Sequence, residues 1–169
     1  MIIGIEGLPG AGKSTLVERL PYPKVPEMLV TKDEEATFTD ADYLEHDKQK
    51  YRLAQRLGQN GMCLMDRTTL SSHAYAFASG DIDEASLPIE TGEDIHYLYL
   101  AITPELSLER QLPGLWESSI DFRERTARFY DRQLQDTPRR IATIDGSRSL
   151  DEVAADAYAA IELARKSVR

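Results

Sequence analysis

Residues 1–14 decide most of what this chain can become. Met1–Glu6 (MIIGIE) is a short apolar run whose length and β-branched content fit a buried strand. It leads directly into Gly7-Leu8-Pro9-Gly10-Ala11-Gly12-Lys13-Ser14, an instance of G-x-x-x-x-G-K-[ST]. A helical pattern over Lys13–Leu20 follows and is stopped by Pro21 and Pro23. Strand, glycine-rich turn and helix form the context in which this motif wraps phosphate. The glycines let the backbone bend so that successive amides face inward, and the helix adds its positive N-terminal end. Lys13 is placed to reach the β- and γ-phosphates, and the Ser14 hydroxyl to hold a magnesium ion. Gly7, Pro9, Gly10, Ala11, Gly12, Lys13, Ser14 and Thr15 are the expected nucleotide-binding residues, with ATP and Mg2+ as the expected cofactors.

Any phosphate must be held by such a local device, because the chain as a whole repels anions. Its formal net charge is −9 over 169 residues, which argues against a general grip on nucleic acid or an anionic membrane. Cys63 is the only cysteine, so neither a disulfide framework nor a cysteine-based zinc site is available, and it is expected to be buried and inert. No basic leader precedes the first strand and no run of apolar residues is long enough to span a bilayer, so the expected location is the cytoplasm.

Beyond the motif, short apolar runs alternate with longer helical patterns. Strands are expected within Lys24–Val30 and at Met62–Met65, Ile95–Ile102 and Ile141–Ile144. Helices are expected at Asp40–Leu57, Leu70–Ala78, Thr103–Pro113, Ser118–Gln135 and Leu150–Lys166, with Thr103 as N-cap and Pro104 as first helical residue. Ser79–Glu93 reads as an acidic loop. Continuous rather than alternating apolar strands imply an α/β domain with a parallel sheet covered on both faces. An N-K-x-D run for guanine is absent, and so is an apolar strand ending in Asp-Glu, which shifts weight from switches and motors toward small-molecule kinases.

The third strand ends in Asp66-Arg67, followed by Ser71, Ala74 and Tyr75. An acid at the carboxyl end of a strand beside the phosphate loop sits in the ligand crevice of an open α/β sheet. With that spacing the chain resembles the thymidylate kinase and deoxynucleoside kinase group of P-loop kinases. Leu100–Glu105 with Leu108-Glu109-Arg110, then Phe122, Arg125 and Tyr130, then Ile144–Ser147 extend the resemblance over nearly the whole chain. It implies a P-loop NTPase fold of five parallel strands in the order 2-3-1-4-5, helices on both faces, and a short lid at about residues 110–120. Residues 1–169 then form a single kinase domain.

The resemblance also implies roles. Asp66 joins Ser14 at the metal, Arg67 contacts the acceptor, and Arg110 is the lid arginine that steadies the transferring phosphoryl group. Arg123, Arg125 and Arg128 are candidate reinforcements. Glu27 stands after the second strand, where nucleoside kinases of the group place the acid that takes the acceptor proton. Lys13, Glu27, Asp66, Arg67 and Arg110 are thus the expected catalytic residues. Glu27, Tyr43, Arg52 and Arg67 are the expected acceptor contacts. Lys48, Arg52 and Arg56, four apart, form a basic stripe on one helix face.

Two departures bear on the acceptor. Thymidylate kinases carry Arg-Glu-Pro after the second strand, whereas here the segment reads Val25-Pro26-Glu27-Met28-Leu29. Without that arginine a monophosphate loses a charge-assisted clamp, which favours a neutral hydroxyl acceptor such as a nucleoside. The lid, Gln111–Trp116, also lacks an arginine cluster. Three readings stay open: a nucleoside-like kinase, a nucleoside monophosphate kinase, and a nucleotide-binding module without catalysis. A homodimer is compatible with all three.

Overall fold

The computed structural model describes residues 1–27, 40–59, 61–82, 95–111, 118–135 and 137–167. Five strands form one parallel sheet: β1 (Ile2–Gly7), β2 (Lys24–Val25), β3 (Cys63–Asp66), β4 (Ile95–Ala101) and β5 (Arg140–Asp145). Their order is β2-β3-β1-β4-β5, as the resemblance implied. Among the described residues six helices connect them: α1 (Lys13–Arg19), α2 (Asp40–Gly58), α3 (Thr69–Ser79), α4 (Pro104–Glu109), α5 (Ile120–Gln135) and α6 (Leu150–Ser167).

The central strands are buried on both faces, which explains their unbroken apolar sequence. Alternation sorts β1 into two cores. Ile3 and Ile5 point to the side of α1 and α6, joining Leu16, Val17, Leu98, Leu100, Val153, Ala157 and Ile161. Ile2 points to the opposite side with Ala54, Met65, Leu70, Ala74, Tyr97, Phe129 and Tyr130, drawn from β3, β4, α2, α3 and α5. Cys63 is buried in this second core, unpaired, and burial pushes its thiol up to about 11. Gly4 lies between the two sheet neighbours of β1. A Cβ there would stand 2.4 Å from the Thr68 methyl group, so the absent side chain lets the chain after β3 press against β1.

The register aligns strand ends. Ile5 pairs with Asp66 and with Leu98, and Gly7 pairs with Leu100. The loops after β1, β3 and β4 therefore leave the sheet at one edge, where a crevice forms in open α/β sheets. Helix caps follow the sequence: the Thr103 hydroxyl accepts from the Leu106 amide with Pro104 in the first turn, and the Thr68 hydroxyl accepts from the Leu70 amide. The second strand is short and lies within Lys24–Val30 as expected, while the helix after Thr103 is shorter than the sequence suggested. β2 ends at Val25 because Pro26 cannot donate to the ladder, and α4 stops at Glu109, four residues before Pro113. The expected strand's remainder at 28–30, most of the acidic loop, and the lid centre with Trp116 lie outside the described residues. No described helix is long and apolar enough to cross a membrane.

Candidate active site

The loop after β1 takes its shape from three glycines with positive φ: Gly7 at 148°, Gly10 at 75° and Gly12 at 88°. At Gly7 a Cβ would also meet the Leu100 carbonyl oxygen at 2.5 Å. Gly12 is the N-cap of α1 and supplies no side-chain acceptor, so the first amides of that helix are uncapped. A cradle of free amides at a helix N-terminus is an anion site in its own right. Lys13 is buried beneath it, only 4% exposed, and its ammonium donates to the Gly7 and Leu8 carbonyls at 3.0 and 2.8 Å. Burial, with the Arg67 charge adding to it, lowers Lys13 to about 7. Glu27, Asp66 and Glu6 pull the other way. A negative ligand in the cradle would restore the full charge.

Asp66 ends β3 at 1% exposure, and its Oδ1 has no hydrogen-bond partner. Burial raises its carboxyl, opposed by the Ser14 hydroxyl and by Lys13 and Arg67. An orphaned buried carboxylate oxygen beside a hydroxyl is a donor pair suited to a hard, oxygen-seeking cation that takes its other ligands from phosphate and water. The residues present fit Mg2+.

Arg67 follows in a left-handed conformation, φ 61°, which costs a non-glycine residue about 1–3 kcal/mol. Its Nε lies 2.6 Å from Glu27 Oε1, and its guanidinium covers the Tyr75 ring at 5.1 Å. Burial alone would lower the Arg67 pKa, but Tyr75, Glu27, Tyr130 and Glu6 overcome it and raise the value. Nη1 faces the Gly7 carbonyl at 3.5 Å and Ser71 Oγ at 3.4 Å, distances that leave it loosely held. The structure thus brings Lys13, Ser14, Glu27, Asp66 and Arg67 into one cluster at the strand ends.

Two buried side chains that sequence reasoning passed over hold this cluster. Glu6, fully buried on β1, accepts from the Thr68 amide (2.8 Å), the Thr68 hydroxyl (2.7 Å), Ser71 Oγ (2.5 Å) and the Tyr130 hydroxyl (3.2 Å). It fixes the turn after Asp66-Arg67 to the strand that carries the phosphate loop. Lys50, 6% exposed on α2, donates to the Asp66 and Arg67 carbonyls at 2.8 and 3.0 Å. These charge-assisted bonds offset the cost of the left-handed residue. A charged residue inside an apolar strand, and a lysine four residues before the buried Ala54, are the sequence signals that single them out.

Lys50→Met keeps the stem and removes both donors. It is expected to cost about 2–3 kcal/mol in chemical denaturation and to raise the acceptor KM about tenfold with little change in the ATP KM. Lys50→Arg is expected to recover part of each. An acceptor KM equal to wild type in Lys50→Met would show that the clamp does not position Arg67.

The other candidates lie further out. Arg110 donates to the Gly146 carbonyl at 2.9 Å and faces that of Gly10 at 3.5 Å, bridging the phosphate loop and the β5–α6 turn. Arg125 donates to the Phe77 carbonyl at 2.6 Å at the far end of α3, and Arg128 is exposed. Tyr43 is at the surface of α2. Arg52 is 64% exposed and ion-paired with Glu45 at 3.5 Å, and Lys48 and Arg56 share its exposure.

No family model matches the chain. It is 28% identical to a thymidylate kinase of Staphylococcus haemolyticus over 193 residues, covering 92% of this chain and 94% of that protein. Among solved structures, deoxyadenosine kinase from M. mycoides with its products dCMP and a flexible dCDP superposes with a TM-score of 0.67. The overlap spans 96% of this chain and 99% of that one at 16% identity. The same kinase with bound dATP gives 0.60 at 16% identity, covering 96% and 100%. The chain is thus similar in sequence to a thymidylate kinase over nearly its whole length, and it shares the P-loop fold of the deoxyadenosine kinase.

Proposed function

We propose that the chain is a kinase that moves the γ-phosphate of Mg·ATP to a hydroxyl of a nucleoside or nucleoside-like compound. The observation that carries this reading is the Glu27–Arg67 ion pair at 2.6 Å beside the phosphate cradle. It supplies a carboxylate base with a positive neighbour to orient it, the arrangement that activating a hydroxyl requires. The acceptor proton passes to Glu27 while the hydroxyl oxygen bonds to the γ-phosphorus. The bond to the bridging oxygen breaks, and ADP leaves with that electron pair. Phosphoryl transfer asks the protein mainly for position and positive charge. Lys13 and Arg110 supply the charge, and the amides of Gly7–Thr15 the position. Ser14 and Asp66 would hold Mg2+, whose contribution when bound is to neutralise charge developing on the phosphate oxygens.

A nucleoside monophosphate acceptor is the second reading. It is favoured by the thymidylate kinase relative and by the loosely held Nη1 of Arg67. Against it, Glu27 already neutralises Arg67 and would repel an incoming phosphate. Steady-state assays with Mg·ATP and paired nucleosides and monophosphates decide between them. Acceptor-dependent ADP release with nucleosides is expected. Turnover with monophosphates alone would overturn the first reading, and ATP binding without acceptor-dependent release would leave only a nucleotide-binding module.

A further inference from the structure

The tip of the phosphate loop is pinned from outside. Ser107, on α4, has no exposed surface, and its hydroxyl donates to the Pro9 carbonyl at 2.6 Å. The same hydroxyl accepts from Arg123 Nη1, on α5, at 2.5 Å. Arg123 is also sealed from solvent, and its Nη2 donates to Gln111 Oε1. Among the described residues no carboxylate pairs with it, so its charge acts on neutral oxygens. The contact at the tip is close. A Cβ at Gly10, whose φ is 75°, would stand 3.3 Å from the Ser107 carbonyl oxygen and 3.0 Å from Arg110 Cβ.

The chemistry of these groups fixes a direction. A serine hydroxyl has one proton and two lone pairs, and a guanidinium only donates. With Arg123 on a lone pair, the Ser107 proton points away from it, toward Pro9. Donation by a charged group also polarises the hydroxyl and strengthens its bond to the carbonyl. No described peptide bond is cis, so the C=O of Pro9 and the N–H of Gly10 point in opposite directions across one plane. Holding the Pro9 carbonyl toward α4 therefore turns the Gly10 amide to the inner side of the loop, where amides cradle the α- and β-phosphates. Pro9 has no amide of its own to offer. Lys13 holds the Gly7 and Leu8 carbonyls in the ligand-free protein, but that ammonium is the group that turns to phosphate. The Ser107 bond involves no group that the ligand claims.

We infer that Ser107 is a positioning residue for nucleotide binding, aiming the Gly10 amide by holding the Pro9 carbonyl, and that Arg123 acts through it without touching the ligand. This rests on the kinase reading above.

The test is a double-mutant cycle of wild type, Ser107→Ala, Arg123→Met and the double variant. Each is titrated calorimetrically with Mg·ADP and with the magnesium complex of a non-hydrolysable ATP analogue, at a temperature where thermal unfolding shows it fully folded. Ser107→Ala is expected to weaken both nucleotides by about tenfold, because the Gly10 amide serves a phosphate that both carry. Arg123→Met is expected to weaken both by about fivefold, since the hydroxyl remains but its proton is free to turn. The double variant is expected to lose about tenfold, well short of the roughly fiftyfold that two independent residues would give. Arg123→Lys, which keeps a donor toward Ser107, is expected to recover part of the loss.

Nucleotide affinities equal to wild type in Ser107→Ala would give the serine a purely structural role and overturn the inference. So would losses in the double variant that multiply, because Arg123 would then act by another route. A loss in Arg123→Met confined to the triphosphate analogue would mean direct contact with the terminal phosphate, and would overturn it too. Should Arg123→Met fail to fold, Arg123→Lys takes its place in the cycle. Wild type that binds neither nucleotide would overturn the kinase reading itself, whereas binding that the variants leave unmoved would overturn the Ser107 inference alone.

Discussion

Glu27→Gln is expected to lower kcat with a nucleoside acceptor by about 10²–10³-fold while Mg·ATP affinity stays within threefold of wild type. Glutamine occupies the same volume and can still accept a hydrogen bond from Arg67, which now stands 2.6 Å from the carboxylate. What it loses is the capacity to take a proton. The loss corresponds to about 3–4 kcal/mol of barrier, within the range that general-base catalysis supplies. Removing the negative charge also frees Arg67, so a monophosphate acceptor is expected to bind more tightly to the variant than to wild type. Steady-state and single-turnover rates with a nucleoside, together with ATP affinity by titration, check both parts. A rate equal to wild type would remove Glu27 from the chemistry and return it to a charge partner for Arg67.

Glu6→Ala is expected to show the largest stability effect, a loss of about 3–5 kcal/mol and a melting temperature lower by about 10 °C. The Thr68 amide, the Thr68 hydroxyl, Ser71 Oγ and the Tyr130 hydroxyl all converge on this carboxylate. Alanine leaves them around a cavity. Ser71 and Tyr130 can still bond each other at 2.8 Å, which limits the damage, but the Thr68 amide has no substitute. Burial raises the Glu6 carboxyl against the hydrogen bonds that oppose it. A carboxyl raised in the folded state stabilises most below the ordinary glutamate range and less as pH climbs through the folded value. The gap between wild type and Glu6→Ala is therefore expected to narrow from pH 4 toward neutrality. Chemical denaturation at pH 4.5 and 7.5 measures it. A gap that widens with pH would mean that the ionised network is worth more than its burial costs.

The parts of the fold that sequence exposed are those whose causes are local. MIIGIE followed by G-x-x-x-x-G-K-[ST] specifies strand, turn and helix within one segment, and Thr103-Pro104 specifies a helix start within two residues. The parts that stayed hidden depend on partners brought together from afar. Glu6 acquires its meaning from Thr68 and Ser71, more than sixty residues away. Lys50 clamps carbonyls 16 and 17 residues ahead. The basic stripe of α2 shows how small the margin is. Lys48 and Arg52 are four apart and share the exposed face, whereas Lys50, two positions from each, is turned through about 200° and faces the sheet. Arg123 and Arg125 differ in the same way: one is sealed behind the phosphate loop and the other is tied to the end of α3.

Nucleotide binding itself is tested most directly by calorimetric titration of wild type with Mg·ATP at pH 6 and pH 8, in buffers of different ionisation enthalpy. Lys13, lowered to about 7 in the free protein, is already charged at pH 6 and largely neutral at pH 8. Phosphate in the cradle raises it, so one saturating site is expected, with proton uptake approaching one at pH 8 and near zero at pH 6. Absence of binding heat and of competition with any purine or pyrimidine triphosphate at either pH would contradict the assignment of Gly7–Thr15 as a triphosphate cradle.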